Sequence, residues 1–176
     1  DLFLVHWPMA DSPGIDLVDT WRTMIDILES GRVRAIGVSN FQAEHLRTII
    51  EATGVTPAVN QIELHPYLCQ EQLRALHDSL GIVTESWSPL GRGRLLEEPV
   101  VRDVAATLGV TPAQVVIRWH VQHGLVVIPK TTHCERMRVN ADVFSFGLSR
   151  EQMAAIDACD RGLRTGSHPD RVQERP

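Results

Sequence analysis

Residues 125–140 of the chain read LVVIPKTTHCERMRVN, and the polar members of that stretch have the chemistry of an anion site. Lys130 is the chain's sole lysine, Thr131 and Thr132 bring two hydroxyls, and Arg136 brings a planar guanidinium that grips phosphate oxygens in pairs. Thr132 and Glu135 stand at the spacing of a capping box, which predicts a helix starting there, with Arg136 and Asn140 one turn apart on one face. The backbone donors and dipole of such a helix start favour a bound phosphate. A strand, a loop and a helix with a solvated charged rim is the other reading these residues allow.

The elements that position these groups follow from periodicity. Residues 125–128 are an apolar run with the composition of a buried strand, and Pro129 stops it. Four comparable runs precede it, at residues 1–5, 35–38, 58–64 and 82–87. Helical patterns fill the gaps. Leu17, Trp21, Met24 and Leu28 share one face of a helix closed by Gly31; Leu46, Ile49 and Ile50 share another, closed by Gly54. Leu73, Leu76 and Leu80 end at Gly81, and Val100, Val101, Val104 and Leu108 form the next pattern. Thr111-Pro112-Ala113-Gln114 opens a helix with a cap, a proline at its first position and a glutamine to close the box. Ser149 caps a last helix carrying Met153 and Ile156, and the tail beyond Gly162 reads as a loop.

Strand and helix in alternation mean parallel strands joined by crossovers, an α/β fold. A doubly wound sheet lacks its G-x-G-x-x-G turn here. An eight-stranded (β/α)8 barrel needs roughly 250 residues, and 176 residues hold about five of its units. Either architecture builds its site at the C-terminal ends of its strands. Those ends are His6-Trp7, Ser39-Asn40, residues 61–65, Trp87-Ser88 and Lys130-Thr131-Thr132.

Composition narrows the function classes. The net charge is -5 with scattered basic residues, so neither a nucleic-acid surface nor a membrane-binding face is expected. No apolar run approaches the roughly 20 residues of a membrane span. Cys69, Cys134 and Cys159 show no C-x-x-C spacing and suit a reducing cytoplasm. The chain opens inside a strand-like run without Met, and it reads as the later part of something longer.

The strand ends in this order resemble the aldo-keto reductases, specifically the bacterial branch of the 2,5-diketo-gluconate-reductase kind. DLFLVHWP at residues 1–8 looks like the family's fourth barrel strand, and TWRTMIDILESGRVRAIGVSNF, NQIELHPY, SWSPLGRG and IPKTTHCERMRVN follow in family order. The resemblance implies one domain over residues 1–176, covering strands four to eight of a (β/α)8 TIM barrel. It implies NADPH as cofactor, a small-molecule aldehyde or ketone as substrate, and a monomer when complete. By the same resemblance His6 orients the substrate carbonyl and Trp7 lines the substrate pocket. Ser39, Asn40 and Gln61 bind the nicotinamide carboxamide, and Trp87 stacks on the ring. Ser88, Leu90 and Gly91 lie along the pyrophosphate; Lys130, Thr131, Thr132 and Arg136 hold the 2′-phosphate; Asn140 lies near the adenine. Val139 departs from the glutamate that many relatives carry. Chemistry supports two of these roles independently: a lysine and an arginine match a doubly charged phosphate, and a flat indole suits a flat ring.

Family catalysis also implies a tyrosine acid, a lysine and an aspartate beside the histidine. The sole tyrosine, Tyr67, and sole lysine, Lys130, already occupy other motif positions, so the acid and its lysine are expected outside these 176 residues, and the chain alone is expected to be inactive. A non-catalytic NADPH-binding barrel is the alternative function. Glu63 and Glu85 on strand-like runs raise a third, carboxylate-pair hydrolysis, against which stands a pair of satisfied interior residues. His120 and His123 have no carboxylate at matching spacing and read as a solvated or packing pair. Trp21 and Trp119 are expected in the core.

Overall fold

The computed structural model describes residues 1–9, 12 and 14–171; Pro176, in the tail that the sequence assigns to a loop, lies outside the described residues. In chain order the elements are β1 (Leu2–Val5), α1 (Leu17–Glu29), β2 (Ala35–Ser39), α2 (Ala43–Thr53), β3 (Val59–Glu63) and α3 (Glu71–Leu80). They continue with β4 (Val83–Trp87), a 3-10 turn (Gly91–Glu97), α4 (Pro99–Leu108), α5 (Pro112–Gln122), β5 (Val126–Val127), α6 (Cys134–Ala141), α7 (Arg150–Asp157) and a short 3-10 turn (Pro169–Arg171). The strands form one sheet in sequence order, β1 to β5. The β1–β2, β2–β3 and β4–β5 pairings are all parallel, as crossover helices require.

The chain divides into two compact units. Among the described residues the first comprises 1–9, 12, 14–62, 71–84 and 166–171. Leu17, Trp21 and Met24 of α1 are buried at the expected helical spacing, and Trp21 Nε1 donates to the Val55 carbonyl at 3.1 Å. Gly54 ends α2 at φ 71, a conformation that favours glycine because it has no Cβ. Gly37 in β2 is there for room instead: a Cβ would lie 2.6 Å from Val59 O and 2.8 Å from Leu4 Cδ2. Because one obstacle is backbone, Gly37→Ala is expected to cost about 1–3 kcal/mol, read as a lower midpoint in chemical denaturation. An unchanged midpoint would mean that the neighbouring strand gives way freely.

The second unit comprises residues 63–70 and 85–165. Thr111 and Gln114 form the expected capping box on α5, and Ser149 with Gln152 forms another on α7. Val101, Val115, Val116, Trp119 and Ile156 make its core, each at most 2% exposed. Trp119 Nε1 donates to Asp157 Oδ1 at 2.7 Å, and His123 Nε2 meets the same oxygen at 2.9 Å. His123 therefore has a carboxylate partner after all, supplied from 34 residues away by the packing of α7 on α5 rather than by local spacing.

Two local expectations are corrected. Residues 125–128 do not form a buried strand: β5 is only Val126–Val127, and Val126 and Ile128 are 45% and 42% exposed. Pairing to β4 alone leaves β5 at the edge, where its side chains are not covered. Helix α6 does not begin at Thr132, which is exposed; its N-cap is His133. Thr131 Oγ1 accepts the His133 N–H at 3.2 Å, a local turn that delays the helix. The tail beyond Gly162 is irregular as expected apart from the 3-10 turn at Pro169–Arg171, and its first part is pinned. Leu163 N donates to Tyr67 O at 2.9 Å, and Thr165 N and Oγ1 both donate to Glu63 Oε1 at 2.6 Å.

Candidate functional site

The strand ends of the first unit assemble a polar cluster. Ser39 closes β2 opposite Gln61 of β3. Its hydroxyl donates to the Gln61 carbonyl at 2.8 Å, and the Asn40 backbone N–H donates to the same oxygen at 2.8 Å. Asn40 is buried at φ 64, left-handed backbone that asparagine tolerates better than most residues. Its Nδ2 donates to the His6 carbonyl at 3.0 Å and to Ser39 Oγ at 3.1 Å, so it ties the end of β1 to the end of β2. The His6 ring is exposed, 6.0 Å from the half-buried Trp7 ring and tilted to it by 52°. Four expected residues, His6, Ser39, Asn40 and Gln61, thus converge, and Trp7 flanks them.

A cavity of about 540 Å³ opens in the second unit. Of the expected site residues, Leu90, Lys130, Thr131, Arg136 and Asn140 line it. Trp87, Ser88, Gly91 and Thr132 are not part of its lining. Trp87 and Ser88 are half-buried, Ser88 at φ 50, and Gly91 is buried at φ 55. The rest of the wall was not among the expected site residues: Leu96 and Glu97 from the 3-10 turn, Thr111, Pro112 and Ala113 from the start of α5, and from α6 Glu135, expected as a capping partner, and Val139, the position where many relatives carry glutamate. Thr111-Pro112-Ala113 was legible only as a helix cap. Two cations and two carboxylates therefore face this cavity. Glu97 is engaged by Arg102 at 3.2 Å, whereas among the described residues neither Lys130 nor Arg136 has an ion-pair partner.

Neither the chain's tyrosine nor its most buried carboxylate is available for acid catalysis. Tyr67 Oη donates to Glu98 Oε2 at 2.6 Å, and Arg161 reaches the same oxygen at 2.9 Å while lying 3.9 Å over the Tyr67 ring. Burial, and then the hydrogen bond to Glu98, push the Tyr67 hydroxyl up to about 12. A phenol held so keeps its proton. Glu63 is fully buried, with Thr165 and His65 on Oε1 and Arg164 3.8 Å from Oε2. It presents no open face to a substrate, which removes the carboxylate-pair hydrolase reading.

Parallel strands in sequence order, helical crossovers and polar residues gathered at strand ends define an α/β protein of the kind that carries its site on the C-terminal edge of the sheet. The chain belongs to the aldo/keto reductase family, whose model matches residues 1–161. It is 53% identical over 176 residues to 2,5-diketo-D-gluconic acid reductase B of a Corynebacterium species, covering 99% of this chain and 62% of that protein. It is 47% identical over 173 residues to methylglyoxal reductase DkgA of Escherichia coli K12, covering 97% of this chain and 62% of that protein. Among solved structures, the apo form of Gox0644 matches with a TM-score of 0.95 at 49% identity, covering 99% of this chain and 64% of that one. A mutant of Gox0644 in complex with NADPH matches with a TM-score of 0.94 over the same shares. The chain thus spans about three fifths of the length of the curated relatives it matches. Those neighbours have the barrel type of fold that the resemblance implies.

Proposed function

We propose that the protein reduces aldehydes or ketones to alcohols with NADPH, and that these 176 residues supply the cofactor site and the catalytic histidine of a (β/α)8 barrel domain as its strands four to eight. The observation that carries the reading is the pair of cations without ion-pair partners among the described residues, Lys130 and Arg136, on one cavity wall with Thr131 and Asn140. That donor set fits a 2′-phosphate, because a guanidinium fork and an ammonium together neutralise a dianion. The NADPH complex of the Gox0644 mutant supports it from outside the chain.

NADPH, when bound, supplies the hydride that converts the carbonyl carbon to a carbinol. The chain's own residues bind and orient. Ser39, Asn40 and Gln61 present a hydroxyl, an amide and a second amide to the nicotinamide carboxamide, and Trp87 offers a flat face to the ring. Ser88, Leu90 and Gly91 follow the pyrophosphate, and Thr132 joins the phosphate set from outside the cavity lining. His6, exposed and anchored through its carbonyl by Asn40, orients the substrate oxygen, with Trp7 beside it. The alkoxide needs a proton from a positioned acid. Since Tyr67 is locked against Glu98 and Lys130 serves the phosphate, that acid and its lysine come from outside these residues. A non-catalytic NADPH-binding barrel is the second reading, favoured by that same engagement of Tyr67. The domain acts as a monomer on a small carbonyl compound in the cytoplasm, a compartment that suits the free thiols of Cys69, Cys134 and Cys159.

Titration of the protein with NADPH should quench tryptophan emission through Trp87, and Trp87→Leu should abolish most of the quench. An unchanged spectrum at saturating NADPH would sink the cofactor assignment. With NADPH bound, methylglyoxal turnover by the 176 residues alone would refute the external acid, whereas turnover only in a chain that adds a tyrosine and a lysine would favour the reductase over the non-catalytic reading.

A further inference from the structure

Helix α6 buries none of its side chains, whereas α4, α5 and α7 of the same unit each bury at least one. Its eight residues fall short of the ~12–15 that an isolated helix needs to persist in water, and most helical stability in proteins comes from packing an apolar face. Its N-cap His133 makes no side-chain cap bond. Among the described residues the hydrogen bonds that tether it lie at its far end: Gln114 Nε2 donates to Asp142 O at 2.7 Å, Arg118 Nη1 donates to Val143 O at 2.9 Å, and Val143 is buried. Residues 132–138 are exposed throughout. What α6 does direct at the rest of its unit is Glu135, Arg136, Val139 and Asn140, all on the cavity wall.

We propose that α6 is held in place by the phosphorylated nucleotide and folds stably only when the 2′-phosphate engages Arg136, a mechanism that rests on the reading of this cavity as the 2′-phosphate site. Discrimination between NADPH and NADH then has two sources. The phosphate attracts Lys130 and Arg136 directly, and it alone draws α6 down onto the ligand. A nucleotide without it leaves the helix undocked, so its adenosine loses the contacts of Val139 and Asn140 as well. Ordering of this kind is a free-energy coupling between helix formation and binding, and anything that changes the helix's intrinsic stability must change affinity.

Hydrogen–deuterium exchange on the full chain, with 2′,5′-ADP and 5′-AMP as probes, tests this. Without ligand the α6 amides should exchange at least tenfold faster than those of α5, and saturating 2′,5′-ADP should slow them at least tenfold while 5′-AMP leaves them fast. Met137 is 50% exposed and outside the cavity lining, so Met137→Gly alters helix stability without touching the ligand. It should weaken 2′,5′-ADP about fourfold, the measure of glycine's cost inside a helix, with the thermal midpoint of the unliganded chain unchanged; Met137→Ala should bind like the parent. Protection of α6 equal to that of α5 without ligand would overturn the proposal. So would 2′,5′-ADP binding that adds no protection, or a Met137→Gly variant that loses thermal stability and keeps its affinity. Absence of any calorimetric binding of 2′,5′-ADP would overturn the phosphate reading itself, and the ordering with it.

Discussion

Arg136→Ala is expected to weaken NADPH binding roughly 10- to 150-fold, the worth of a charge-assisted hydrogen bond to phosphate, while NADH binding changes less than about threefold. The asymmetry follows from position. Arg136 is exposed on α6 with no ion-pair partner among the described residues, so its removal strands no buried charge and disturbs no core. On the proposed reading, what is lost is the bidentate grip on the group that distinguishes the two nucleotides. Arg136→Lys should recover only part of the loss, because an ammonium restores charge but not the fork. Fluorescence or calorimetric titration with both nucleotides measures this directly. Equal losses for NADPH and NADH would mean that Arg136 touches a part common to both, and the 2′-phosphate would have to be placed elsewhere.

Acid should destabilise the fold in a window set by buried histidines. His77 is fully buried, and burial lowers its pKa to about 4 from the ordinary 6.5. Its hydrogen bonds demand the neutral ring. Asn60 Nδ2, which also donates to Phe41 O at 2.9 Å, donates to His77 Nε2 at 2.9 Å, and Nδ1–H is left to donate to Thr84 Oγ1 at 2.8 Å. A proton on Nε2 would set donor against donor. Between pH 6.5 and about 4 the unfolded chain binds a proton that the folded chain refuses, so stability rises with pH there. The contribution is fully present above pH 6.5 and is lost as pH falls toward 4, about 3 kcal/mol for this one group. His120 adds a second such group, also lowered to about 4 by burial, although Val116 O and Leu64 O at its two nitrogens favour the charged ring and partly offset that burial. Chemical denaturation at pH 7, 6 and 5 should show the decline, and His77→Gln should flatten it by one proton's worth. An identical slope in the variant would mean that His77 is not the group responsible.

Much of the fold was legible because helix and strand signals are local. Trp21, Met24, Leu46 and Ile49 lie buried where their spacing puts them, and Thr111 and Ser149 cap the helices they announce. Local turn chemistry misled once, where Thr131 rather than Thr132 took the first N–H ahead of α6. The apolar run at residues 125–128 misled for another reason. Its composition says that it can be buried, but only the sheet order says that it lies at an edge.

By itself the sequence determined that parallel strands alternate with helices, that their ends carry His6, Ser39, Asn40, Gln61 and Trp87, and that one such end holds the sole lysine with an arginine close by. Each of these rests on spacing within a single element or on residue chemistry, and neither depends on what lies across the molecule. Tertiary structure alone decided the opposite wall of the cavity, where the start of α5 and the 3-10 turn bring Ala113, Pro112 and Leu96 to face Lys130 and Arg136. It also decided that Glu63 is sealed by Thr165, that His123 shares Asp157 with Trp119, and that α6 buries none of its own side chains. Those outcomes join residues far apart in the chain, and which partners meet is set by how the strands order and the helices pack, a choice that no local pattern encodes.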